Sequence, residues 1–154
     1  MANAISTAGM TVKWAVETTA GTRPSSGYVE LIGVKALPAF GDEKNTLQTT
    51  PLKATKNHTY IEGLADSGGA LALTVNDYDG FRTSYSAMMT AYTGRGAGCN
   101  MWVEYCYPGS GMDSFYYPCE PLELGFGGAE VDSVLENSVS LLPVGDYLFA
   151  TAST

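Results

Sequence analysis

Hydrophobic residues along the chain alternate with polar ones over short runs, and the runs are separated by glycine, proline, serine and aspartate. This is the pattern of half-buried antiparallel strands joined by turns. Residues 11–18, TVKWAVET, put Val12, Trp14 and Val16 on one face of an extended chain. After the turn-rich AGTRPSSG, residues 28–35, YVELIGVK, predict a second strand, with Gly33 a weak point or a bulge. Beyond the connection ALPAFGD, residues 45–50, NTLQTT, make a short strand with threonine-rich edges. Residues 70–76, ALALTVN, form the clearest strand pattern, with Leu71, Leu73 and Val75 on one face. The series continues with residues 100–107, 114–120, 123–127 and 137–144, and ends at 147–150 after the Gly145-Asp146 turn. Pro118 has no N–H to give a ladder and predicts an edge or a bulge for its strand.

One stretch has a different period. Phe81, Tyr85, Met88, Met89 and Tyr92 recur every three or four residues and predict a helix over 80–92. Asp77 or Asp79 is placed to cap its start and Gly94 its end. The sum is roughly seven to nine strands and one helix: a mainly β chain, a β-sandwich or barrel of packed antiparallel sheets with one flanking helix. Its 154 residues suit a single domain spanning 1–154. The small, polar ends, 1–9 and 151–154, predict flexible tails.

Residues 51–68, PLKATKNHTYIEGLADSG, follow neither period clearly and read as a long loop. Loops of that length inside a compact domain are uncommon and usually carry function.

Three segments carry a family likeness: GTRPSSGYVELIGVKALP (21–38), YIEGLADSGGALALTVN (60–76) and the helix DGFRTSYSAMMTAY (79–92). Strand, threonine-rich strand, long loop, Tyr-x-x-Gly-Leu-x-Asp-x-Gly, strand and helix follow in that order. This resembles the major tail (tail-tube) proteins of long-tailed bacteriophages, the siphophage tail-tube family. The likeness covers residues 20–95; from 96 onward only strand pattern and length correspond. It implies two packed sheets and a flanking helix, subunits that form homo-hexameric rings around a channel for DNA ejection, and rings that stack into a tube. The long loop then reaches a neighbouring ring, through Pro51, Lys53, Lys56, His58, Tyr60, Gly63, Leu64 and Asp66. Implied partners are further copies of the chain, tape-measure protein, and tail-terminator or distal tail proteins. The implied location is the virion tail, after synthesis in the bacterial host cytoplasm.

Charge is unevenly spread. All eight bases and eight of the sixteen acids lie in residues 1–95, whereas 96–154 hold eight acids and no base. Such a half repels phosphate and releases no counterions from DNA, which argues against specific nucleic-acid binding. In a channel, carboxylates would let DNA pass without sticking. Glu104, Glu120, Glu123, Glu130, Asp132 and Glu136 are the lumen candidates, with Glu123 foremost because Leu122 and Leu124 would face the other way on a strand.

Other chemistry is sparse. Cys99, Cys106 and Cys119 match no common zinc spacing and read as buried free thiols. His58, Asp66 and a serine make no nucleophile elbow. Glu120 and Glu123 would point to opposite faces of a strand, which suits no glycosidase pair. Asp77, Asp79 and Gly80 lack the distal glutamate of a calcium loop. Gly94-Arg95-Gly96 follows a helix and opens none, so it is no phosphate loop. Trp14 and Trp102 read as core or interface anchors. No cofactor, metal or enzymatic activity is expected. The amino-terminal residues lack the basic and apolar regions of a signal peptide, and no apolar run approaches the ~20 residues of a membrane span, so no membrane role is expected. A second reading, a β-sandwich carbohydrate- or receptor-binding module of a phage or bacterial surface, would use residues 115–117 with Tyr105 and Tyr107 as its ligand face.

Overall fold

A computed structural model describes residues 6–41, 43–53, 55–66, 69–109 and 111–153, with residues 65 and 66 described in backbone only. Parts of both expected tails, 1–5 and 154, and residues 54 and 67–68 of the long loop lie outside the described residues.

The chain is mainly β with one helix. Its strands are β1 (Thr11–Val16), β2 (Val29–Glu30), β3 (Val34–Ala36), β4 (Glu43–Gln48), β5 (Tyr60–Asp66), β6 (Leu71–Asn76), β7 (Met101–Cys106), β8 (Ser114–Pro121), β9 (Glu136–Pro143) and β10 (Leu148–Ala150). Helix α1 (Asp79–Thr93) lies between β6 and β7. Eight strands form one antiparallel sheet in the order β2-β1-β7-β8-β9-β6-β3, with β10 added on β8. A second sheet is the β4–β5 hairpin.

The two ends of the large sheet, β2 and β3, belong to one run of chain. Leu31 donates to Val12 O at 2.8 Å, and two residues later Gly33 O accepts from Asn76 N at 2.9 Å. The strand predicted over 28–35 therefore pairs with β1 in its first half and β6 in its second, which curls the sheet into a barrel. Gly33 makes the corner: its φ is +93°, and a Cβ there would lie 3.0 Å from the Tyr78 ring and 3.2 Å from Phe81 Cβ. Ser84 of α1 ties the helix to this corner, donating to Glu30 O at 3.2 Å.

Inward-facing residues alternate as the sequence pattern requires. Leu73, Val75, Met101, Tyr117, Cys119 and Val139 are fully enclosed, and Phe81, Tyr85 and Met88 of α1 cover the barrel. Neither predicted aspartate caps the helix. Tyr78 occupies the N-cap with no side-chain cap bond. Asp77 is instead buried and takes Arg82 in a bidentate pair at 2.7 and 2.8 Å. Gly94 does stand at the C-cap, but with φ −87° and not the left-handed turn.

Pro118 is neither at an edge nor in a bulge; β8 sits mid-sheet. Its missing N–H costs little because β8 changes partners there. β10 pairs with residues 114–116 and β9 with 119–121. The Pro118 carbonyl in the gap accepts from Val144 N at 3.0 Å.

The strand expected over 123–127 does not form. Gly125, Gly127 and Gly128 offer no side chains to a sheet face, and the segment is irregular, pinned by Asn137 Nδ2 to Gly125 O at 2.6 Å. Gly127 lies against the start of β9, where a Cβ would be 2.8 Å from Asn137 Cα. Backbone cannot retreat there without breaking the β6–β9 ladder. Gly127→Ala is expected to lower stability by about 1–3 kcal/mol, seen as a lower urea midpoint with unchanged slope.

Candidate assembly surfaces

The predicted long loop is in large part a strand. Residues 60–66 form β5 and pair with β4, through Leu47↔Ile61, Gln48↔Tyr60 and Glu43↔Asp66, so the true loop is the tip, residues 49–59. The pattern hid this because no described side chain of β4 or β5 is buried, so nothing imposes alternation: every β4 residue is exposed. Gly63 is needed where the strands bulge, since a Cβ there would meet the Asn45 carbonyl at 3.0 Å.

This arm carries apolar side chains that the described residues leave half or more open to solvent. Leu47, Tyr60 and Ile61 are about half exposed, Leu64 is 86% exposed and Leu52 fully exposed. An isolated two-stranded hairpin is marginal in water, so such an arm gains most from a partner. Lys44 pairs with Glu62 at 2.9 Å on the shaft. At the tip, His58 Nδ1 lies 2.7 Å from Gln48 Nε2, closing the strands under the exposed Lys53 and Lys56. Pro51 is also exposed at the tip, and the side chain of Asp66 lies outside the described residues.

A second surface is the segment 122–135 between β8 and β9. Phe126, Val131 and Val134 are 74%, 98% and 71% exposed, beside Glu123, Glu130 and Asp132. Its sequence signal is a run of apolar residues without alternation in an acidic, glycine-rich stretch, where a strand over 123–127 and channel-facing carboxylates are the expectations. Glu123 is exposed on irregular chain and not on a strand.

A third surface is the outward face of β6 and β9. Ala72, Thr74, Ser138 and Ser140 present small neutral side chains there. Glu120 is half-buried beside it on β8, and Glu136 forms an ion pair with Lys35.

Glu104 cannot line any surface, which corrects its place among the lumen candidates. It is completely buried and clasps the carboxy-terminal residues to the barrel. Tyr116 donates to Oε2 at 2.5 Å, Ser153 N to Oε2 at 2.9 Å and Ser153 Oγ to Oε1 at 2.6 Å. Tyr116 also reaches Thr151 O at 2.7 Å. The tail expected to be flexible is thus bonded to its own chain through residue 153. Burial alone would raise the Glu104 pKa, but the donated hydrogen bonds outweigh it and bring it down to about 2. Glu17 ties down the 17–23 turn, accepting from Trp102 Nε1 at 2.7 Å and Gly21 N at 2.9 Å. Arg23 then lies over the Tyr116 ring, 4.3 Å from its centre.

Most of the aromatic face of the second reading lies inside the barrel; only Tyr107 is half-buried, and it borders a small cavity with Tyr105, Phe115 and Phe149. Tyr105, Phe115, Tyr116 and Tyr117 are all buried, and Tyr105 and Tyr117 share a hydroxyl–hydroxyl bond of 2.6 Å inside the barrel. Trp14 is a core residue. Cys99 and Cys119 are buried free thiols, while Cys106 is half-buried. Among the described residues no three His, Cys, Asp or Glu side chains gather to hold a metal, and no helix is long and apolar enough to cross a membrane.

A curled antiparallel barrel, one flanking helix and a free hairpin arm define the class of fold. No family model matches the sequence, and no curated protein matches it. Solved structures do share the fold. A chain of the anti-feeding prophage (AFP) baseplate, 6-fold symmetrised, is similar with a TM-score of 0.67 at 11% identity, covering 98% of each chain. A chain of the AFP tube terminating cap has a TM-score of 0.62 at 11% identity, covering 99% of this chain and 94% of that one. A chain from the tail of an empty gene transfer agent (GTA) particle, refined with C6 symmetry, has a TM-score of 0.58 at 13% identity, covering 92% and 96%. The chain shares its fold, over nearly its whole length, with components of phage-tail-related particles.

Proposed function

We propose that this chain is a structural subunit of a phage tail tube, self-assembling into stacked, hexameric rings around a channel for DNA. The observation that carries the reading is the β4–β5 arm, a hairpin in which every β4 residue is exposed and Leu47, Ile61 and Leu64 are half or more open to solvent. Such an arm suits a site on another molecule, and the fold's recurrence in a 6-fold baseplate and a C6 tail makes further copies of the chain the natural occupant. Exposed sheet edges and hairpins are liabilities in a monomer and assets in a closed ring.

In this reading the outward face of β6 and β9 lines the channel, flanked by Glu120 and Glu123. Its neutral hydroxyl and methyl side chains give DNA nothing to grip, and the carboxylates repel phosphate within a Debye length of ~8 Å. DNA passes without specific binding, and catalysis has no part. The tube ends meet tape-measure and terminator or distal tail proteins, within a virion tail built in the bacterial host cytoplasm.

Size-exclusion chromatography with light scattering, run over a range of protein concentrations, tests this. The expected result is mass growing to rings and beyond as concentration rises. A mass fixed at one chain throughout would contradict it.

A further inference from the structure

We infer that the hairpin tip of one copy seats on the 129–135 loop of the next copy, with Lys53 and Lys56 facing Glu130 and Asp132 across a head-to-tail contact. This rests on the self-assembly proposed above and identifies the receiving surface.

Three independent observations lead here. The first is position. β6 and β9 pair from Leu71↔Leu141 at one end to Asn76↔Glu136 at the other. The hairpin enters the barrel at the Leu71 end, through residues 69–70. The 129–135 loop leads into Glu136 at the opposite end, where Leu135 O accepts from Asp77 N at 2.9 Å. The base of the hairpin and the 129–135 loop thus join the barrel at opposite ends of the ladder, about 17 Å apart for six residues. A chain with complementary surfaces at opposite ends stacks head to tail without limit, which is how a heterologous contact builds a filament.

The second is charge. The tip sequence, residues 49–59, has two lysines, one histidine and no acid. The 129–135 loop has Glu130 and Asp132 and no base. The shaft lysine Lys44 and the loop-end Glu136 are already engaged by Glu62 and Lys35, so the complementarity concentrates at the tip and the loop. The third is apolar pattern. Fully exposed Leu52 adjoins Lys53, and Val131, 98% exposed, lies between Glu130 and Asp132. A channel wall has no use for bare valines, whereas a protein contact does. Burying such side chains supplies affinity; the opposite charges, weak one by one at a surface, supply register and partner choice.

Charge reversal across the contact tests this. Lys53→Glu with Lys56→Glu inverts the tip. Glu130→Lys with Asp132→Asn inverts the loop, asparagine being chosen because Asp132 has φ +61°, which asparagine tolerates. Tube growth is followed by light scattering and electron microscopy, with thermal unfolding as the check on folding. Each inverted pair is expected to raise the concentration needed for elongation about tenfold or more, and the four-site variant to recover most of the loss. Higher ionic strength should weaken elongation of the unaltered chain. If the unaltered chain elongates and the inverted tip does so equally well, or if the four-site variant is no better than either pair, the tip seats elsewhere and this inference alone fails. An unaltered chain that never self-associates overturns the self-assembly reading and this one with it.

Discussion

On the proposed tube role, replacing residues 51–57 by Asn-Gly is expected to abolish elongation while leaving the barrel as stable as before. Thr49 N donates to Thr59 O at 2.7 Å, and Thr50 Oγ1 accepts from Thr59 N at 2.9 Å, so the strands are already in register where the graft is made. A two-residue Asn-Gly turn closes such a pair with the twist strands require. None of the excised residues that the structure describes belongs to the hydrophobic core. Shortening a surface loop also changes closure entropy little, about 0.6 kcal/mol per halving of length. The thermal midpoint should stay within about 3 °C of the unaltered chain, since 1 kcal/mol corresponds to about 2–4 °C for a domain of this size. Microscopy should then find isolated rings or subunits and no tubes. Tubes of ordinary length would show that the tip has no role between rings.

The largest effect on stability is expected at Glu104. Glu104→Ala leaves the Tyr116 hydroxyl, the Ser153 N–H and the Ser153 hydroxyl without their shared acceptor inside a closed site. Hydrogen bonds to a charged group are worth about 1.5–3 kcal/mol each, and they are not additive, so the expected loss is about 3–4 kcal/mol. That is a fall of roughly 6–16 °C in the thermal midpoint. The carboxy-terminal residues should also become accessible to carboxypeptidase. Because the folded-state pKa is depressed to about 2 from an ordinary 4.5, the stabilisation from the charged form is complete above pH 4.5. It is lost as pH falls from there toward 2. Scanning calorimetry of the unaltered chain and Glu104→Gln should therefore diverge at neutral pH and converge as pH is lowered through that window. A gap that is unchanged by acid would mean that the carboxylate's charge is not what holds the tail.

The sequence made the barrel legible wherever one face of a strand meets the core. Leu71, Leu73 and Val75 alternate because the ladder has an inside, and Phe81, Tyr85 and Met88 recur because one side of α1 covers it. The strand expected over 45–50 is largely β4, but the β5 half of the arm has no such signal: Tyr60 and Ile61 stand adjacent and both exposed, and no alternation arises. The break of residues 28–35 into two strands was signalled by Gly33, but its consequence, closure of the sheet, depends on distant partners. Glu104 was misread because the burial of an acid depends on who donates to it. Its donors, Tyr116 and Ser153, lie 12 and 49 residues away. Pro118 predicts an edge or a bulge because a local rule does not register that β8 trades one partner for another there.

The central claim is that this chain builds a hollow tube from copies of itself, and electron microscopy of the purified protein at raised concentration tests it most directly. The account predicts stacked rings with a stain-filled central channel. Single barrels at every concentration, or solid filaments without a channel, would contradict it.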